Sequence, residues 1–251
     1  MNFEILKGIL IPFFGTSLGA ACVFFLKKDL NPRLETLLNG FAAGVMAAAS
    51  IWSLLLPAID RSAHLGHLAF LPAAGGFLSG TLLLLLLDHA LTQIRPDVAE
   101  KTSMMIFTIT LHNIPEGMAV GAIYAGWLIG DGAVTLAGAL ALSIGIAIQN
   151  FPEGAVVSLP LRATGFRRKK SFIGGVLSGA VEPAAAVLTI FLSEQITPVL
   201  PFLLSFAAGA MIYVVVAELI PELHEHEYSD LGTLFFSLGF VVMMILDVAL
   251  S

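Results

Sequence analysis

Long apolar runs alternate with short polar breaks along this chain. Eight of the runs reach the roughly 20 residues needed to cross a bilayer: about 3–26, 37–59, 68–94, 103–127, 132–161, 170–193, 198–221 and 230–250. The first is too long for a signal-peptide core and lacks a small-residue cleavage site, so it is expected to persist as a span. The breaks leave no room for a soluble domain. The predicted fold class is an all-α membrane protein of eight transmembrane helices, with residues 1–251 forming one polytopic domain.

Composition agrees with that pattern. Hydrophobic residues make up 57% of the chain and charged residues 12%, about half the charged share of a soluble domain. The bilayer must therefore act as the solvent for most of the molecule. The net charge of −6 points to no acidic or nucleic-acid partner. A single cysteine, Cys22, rules out an intrachain disulfide framework and a cysteine-based zinc site.

The placement of charge sets the topology. Lys27, Lys28 and Arg33 separate spans one and two, Arg95 and Lys101 separate three and four, and Arg162, Arg167, Arg168, Lys169 and Lys170 separate five and six. Only Lys7 and Arg61 fall on the other side. The positive-inside rule then puts both termini outside the cytoplasm. The break after span seven reads Glu222-Leu223-His224-Glu225-His226-Glu227. His224 and His226 could gather metal there, although a solvated acidic turn has the same composition.

Two internal echoes stand out. Phe41-Ala42-Ala43-Gly44-Val45-Met46, ending near Pro57, matches Phe206-Ala207-Ala208-Gly209-Ala210-Met211, ending near Pro221. By the predicted topology these helices run in opposite directions, the mark of an inverted-repeat transporter. The second echo sets His112-Asn113-Ile114-Pro115-Glu116-Gly117 in span four against Gln149-Asn150-Phe151-Pro152-Glu153-Gly154 in span five. The expected plan relates spans one to three to spans six to eight, with four and five between them.

These motifs carry the chemistry. Glu116, Glu153 and Glu182 fall near helix centres with no Lys or Arg at that depth. Each charge costs about 2.5–3.5 kcal/mol there on insertion scales, so the carboxylates are either protonated or neutralised by a cation. A cation that displaces those protons releases them. His112 and Glu116, like Gln149 and Glu153, are four residues apart and share a helix face. Asn113 and Asn150 add pairs three apart. One imidazole among carboxylate and amide oxygens suits a divalent ion such as Zn²⁺, Cd²⁺, Fe²⁺ or Mn²⁺. The absence of thiolates disfavours a closed structural zinc site. Pro115 and Pro152 withhold an amide hydrogen from the carbonyls of Leu111 and Ile148, which is tolerable in a membrane where the backbone is re-satisfied or lines a cavity.

With these residues in view, the chain resembles the ZIP (Zrt/Irt-like) metal transporters over essentially its whole length, in particular their bacterial GufA-like branch. The resemblance implies uptake into the cytoplasm across a cell membrane, expected to be a bacterial inner membrane, and a two-metal site built from spans four, five and six. It implies one ion on His112, Glu116, Gln149 and Glu153. A second would lie on Asn113, Glu116, Asn150, Glu153 and Glu182, with Glu116 and Glu153 bridging. Asn150 stands where some relatives carry Asp or His. The ion is the substrate, zinc foremost, and no organic cofactor is expected. His112 would favour transition metals over Ca²⁺ and Mg²⁺.

Further candidates lie along the expected route. Asp60 sits at the outer end of span two, where it could recruit cations, and Met46 and Ser53 on the same helix could line the entry route. Asp88 and His89 end span three, and Glu218 lies near the end of span seven, where relatives often place a histidine at the position of Ala217. His64 and His67 read as surface histidines. Two other functions compete: an intramembrane metalloenzyme, disfavoured because HExxH is absent and span five lacks a histidine, and a proton-coupled carrier of another solute. Proton coupling, channel-like conduction, the physiological metal and homodimer formation stay open at this level.

Overall fold

The computed structural model describes residues 3–25, 31–92, 98–130, 134–195, 199–224 and 228–250; the side chains of 91–92, 98–109, 111–112, 193–195, 224 and 250 lie outside that description. The long helices, in chain order, are α1 (Phe3–Phe25), α2 (Pro32–Arg61), α3 (Phe70–Thr92), α4 (Val98–Ile129), α5 (Leu136–Ala163), α6 (Arg168–Leu192), α7 (Leu200–Leu223) and α8 (Ser229–Leu250). Among the described residues, seven of them, all but α4, are long and apolar enough to cross a membrane. α4 is a continuous 32-residue helix at the place of the fourth expected span.

Several helices depart from the straight spans the sequence predicts, each at an identifiable place. α1 is interrupted at Ala21. α6 breaks at Ala180, whose N–H donates to Leu177 O at 3.2 Å in a tightened turn just before Glu182-Pro183. α2 and α7 each contain a wider, π-helical turn, Ser50–Leu55 and Val215–Leu219. There the N–H of Leu56 reaches back five residues to Ile51 O, and that of Ile220 to Val215 O. Pro57 and Pro221 follow directly and donate nothing to the carbonyls four residues earlier. A local π adjustment lets the remaining groups pair within the helix.

Helices pack in four dominant pairs: α2 with α8, α3 with α7, α1 with α5, and α4 with α6. Glycine makes these approaches close. A side chain at Gly44 would collide with the Phe236 carbonyl, at Gly209 with Phe77, at Gly154 with Thr16, and at Gly117 with Glu182. Lipid tails leave no hydrophobic drive between apolar helices, so such backbone contact supplies much of the association. The interior is filled by Met46, Leu54, Leu142, Ile146, Leu204 and Met211, all fully buried. Leu78, Leu82, Leu85 and Leu86 of α3 point outward, the inverse of a water-soluble surface. A small satellite cluster joins Cys22 and Val23 to Ala155, Leu159 and Phe172 where α1, α5 and α6 meet. Arg33, Arg162, Arg167, Arg168, Lys169 and Lys170 are exposed.

Candidate metal centre

The four helices α1, α4, α5 and α6 converge on one polar cluster in this apolar interior. Glu116 of α4 accepts a hydrogen bond on Oε1 from Gln149 Nε2 of α5 at 2.7 Å. Asn150, the next residue of α5, donates from Nδ2 to Glu182 Oε2 of α6 at 2.7 Å. Glu182 Oε1 accepts from the Thr16 hydroxyl of α1 at 2.9 Å. Asn113 of α4 donates from Nδ2 to Ser178 O at 3.0 Å, next to the break in α6. All these side chains are almost completely buried.

What is left over defines the chemistry. Among the described residues, Asn113 Oδ1, Glu116 Oε2, Gln149 Oε1 and Asn150 Oδ1 are buried and have no hydrogen-bond partner. A buried acceptor without a partner costs about 1–3 kcal/mol, and here there are three amide oxygens and one carboxylate oxygen. The amide hydrogens of Gln149, Asn150 and Asn113 go to Glu116, Glu182 and Ser178, and their oxygens are left without a donor. An all-acceptor set fits a cation or a strong donor and repels an anion. Glu153 and Glu182 both lie within electrostatic reach of Glu116. Oxygen donors of this kind suit a hard or borderline divalent ion.

Glu153 faces a different space. It is half-buried and lines a cavity of about 80 Å³ together with Asn39, Ala42, Val156, Glu218 and Glu222. Asn39 Nδ2 donates to Glu222 Oε2 at 2.9 Å across the α2–α7 seam. Asn39 lies two turns from exposed Arg33, and Glu153 precedes Arg162 on α5, so the cavity lies toward the arginine-rich end of the bundle. Glu153 thus belongs to an acidic opening shared with Glu218 and Glu222.

The remaining sequence candidates scatter. The side chains of His112 and His224, and all of His226, lie outside the described residues. Among the described residues no group of three or more His, Cys, Asp and Glu side chains gathers as a metal site; amide oxygens make up much of the donor set. Met46 is packed into the core. Buried Ser53 donates to Asp247 Oδ1 at 2.6 Å. Asp60 and His89 are exposed. Asp88 accepts from the Tyr213 hydroxyl at 3.0 Å, tying α3 to α7. Glu218 joins the cavity.

Sequence reasoning missed Thr16, Asp247 and the Asn39–Glu222 pair. Asp247 was findable, since it is an acid inside an apolar span and the same charge argument applies to it. Thr16 gave no such signal, because a hydroxyl in an apolar helix is ordinary and only tertiary packing aims it at Glu182.

Known sequences resolve the family. The profile described as ZIP zinc transporter matches residues 98–247, the stretch from α4 to α8 that holds Glu116, Gln149, Asn150 and Glu182. This chain belongs to the ZIP family. Zinc transporter ZIP11 of Bos taurus is 36% identical, covering 94% of each chain. Zinc transporter ZIPB of Bordetella bronchiseptica is 38% identical over 95% of this chain and 79% of its own length. Zinc transporter GufA of Myxococcus xanthus is 33% identical over 94% of each, in keeping with the GufA-like resemblance. ZIP proteins are a transporter family, so the chain is not an enzyme, and the metalloenzyme alternative falls away.

Proposed function

We propose that this ZIP protein carries divalent transition-metal ions, zinc foremost, across a bacterial inner membrane into the cytoplasm. The observation that carries the proposal is the set of four buried oxygens, on Asn113, Glu116, Gln149 and Asn150, that have no hydrogen to accept. Cations are the partners that complete such a set of acceptors. The named zinc-transporter relatives supply the substrate; Cd²⁺, Fe²⁺ and Mn²⁺ share the same ligand chemistry.

In this reading one ion rests on His112, Glu116, Gln149 and Glu153. A second rests on Asn113, Glu116, Asn150, Glu153 and Glu182. When an ion arrives, the amides of Gln149 and Asn150 exchange roles: their hydrogens release the carboxylates and their oxygens coordinate. α4 is the eighth span, both termini lie outside, and the whole chain acts as one domain. The helix pairs support an inverted repeat, since α2–α8 corresponds to α7–α3 and α1–α5 to α6–α4, and the two π-helical turns occupy matching places. The cavity at Glu153 then faces the cytoplasm, with the bundle of α1, α4, α5 and α6 sliding against that of α2, α3, α7 and α8 to expose the centre alternately.

Radiolabelled zinc uptake into proteoliposomes tests the proposal. Wild-type protein is expected to accumulate zinc over empty vesicles, and Glu116→Ala to lose at least about tenfold of that rate, as the loss of a ligand shared by both ions requires. Undiminished uptake by Glu116→Ala would overturn it. Running Cd²⁺, Fe²⁺ and Mn²⁺ beside Zn²⁺ under an imposed pH gradient ranks the substrates.

A further inference from the structure

We infer that Thr16, on α1, is a positioning residue of the metal centre, fixing the carboxylate of Glu182 for the second ion. The inference rests on the two-ion reading above and adds to it a helix from which that reading draws no ligand.

The side chain of Thr16 is fully buried, and its hydroxyl donates to Glu182 Oε1 at 2.9 Å. Glycines of α5 and α6 bring their helices close to it. Gly154 of α5 lies against the Thr16 carbonyl, and a Cβ on Gly179 of α6 would stand 2.8 Å from the Thr16 Cβ. On either side of Thr16, Gly15 and Gly19 rest on the carbonyls of Ala147 and Phe151, so α1 is pressed against α5 for more than a turn. The hydroxyl is thus held rigidly, and a rigid donor on one oxygen of a carboxylate sets the direction of the other.

The other oxygen of Glu182 accepts from Asn150, a residue of the second-ion set. The two bonds differ in kind. Asn150 is called on to turn its oxygen toward the ion and so to release Glu182. Thr16 has no such duty and can keep its bond while Glu182 Oε2 turns to metal. A ligating carboxylate anchored through its second oxygen is a recurring device of metal sites, and loss of the anchor costs about ten- to a hundredfold in affinity.

The test is zinc binding to purified full-length protein in lipid nanodiscs, by titration calorimetry with the bound metal counted by mass spectrometry. Thr16→Val keeps the shape and removes the donor; Thr16→Ser keeps the donor in a smaller side chain. The expected result is two ions on wild type, with the weaker one losing about ten- to a hundredfold in affinity in Thr16→Val, the tighter one unchanged, and Thr16→Ser restoring the weaker one. Glu182→Gln should abolish the same weaker ion. Thr16→Val matching wild type, weakening both ions alike, or being no worse than Thr16→Ser would each overturn the assignment. Should wild type bind a single ion, the two-ion reading fails by itself. Thr16 is then judged on that ion: a loss in Thr16→Val rescued by Thr16→Ser upholds it, and no loss overturns it. A melting curve for each variant reports whether packing was kept.

Discussion

The decisive residues are the amides. Gln149 and Asn150 each donate to a buried carboxylate and leave an oxygen open, so neutral dipoles face both acids. Asn150→Asp removes the hydrogen bond to Glu182 and sets two acids face to face. The metal-free variant should lose about 1–3 kcal/mol of stability while gaining a charged ligand for the second ion. Thermal melting with and without zinc should therefore show a wider gap than in wild type. Ser53→Ala is the opposite kind of change. It strips buried Asp247 of its donor, and a drop of about 1–3 kcal/mol should appear in the melting curve whether or not zinc is present. At this scale the sequence was informative for acids and nearly mute for hydroxyls. A carboxylate in an apolar run is costly wherever it points, so Glu116 and Glu182 were visible at once. A threonine satisfies itself on its own helix, so the role of Thr16 became visible only once α1 was packed against α5 and α6.

The helices owe their closeness to glycine and their irregularity to proline. Gly154→Val would push a side chain onto the Thr16 carbonyl. Backbone yields far less readily than a side-chain tip, and overpacking of this kind costs about 1–3 kcal/mol or more; the fraction surviving a heat challenge by fluorescence-detected gel filtration should fall sharply. Gly75→Ala offers the contrast, because its nearest neighbour is the edge of the Phe202 ring at 3.9 Å. That variant should match wild type or gain up to about 1 kcal/mol from reduced backbone freedom in the same assay. Apolar periodicity located the spans because length and hydropathy are sums over many residues. The break at Ala180 and the π-helical turns each depend on one or two hydrogen bonds near a proline, and Pro57, Pro183 and Pro221 announce a disturbance without saying which form it takes.

At the scale of the molecule the pairs assemble into two bundles that meet mainly where α4 packs on α7 and α2 packs on α5. One seam carries an apolar groove lined by Leu18, Leu38, Phe41, Ile148 and Phe151, and the acidic cavity opens from the same junction through Ala42, Val156 and Val214. If transport moves one bundle against the other, a tether across this seam must stop it. In a Cys22→Ser background, cysteines at Leu38 and Ile148 joined by a short bifunctional thiol reagent should abolish zinc uptake, with reduction of a cleavable linker restoring it. Uptake that continues through a complete cross-link would show that the bundles need not slide. The sequence suggested two halves through its repeated motifs, yet it could not say which helices travel together, because partnership across a bundle is a property of packing.

The satellite cluster around Cys22 has a practical consequence. A lone half-buried thiol lodged where α1, α5 and α6 meet is a built-in reporter that needs no engineering. Its alkylation rate in the native protein reads how tightly these three helices are clasped, and a maleimide time course with and without zinc would register any change in that clasp on an otherwise unaltered chain.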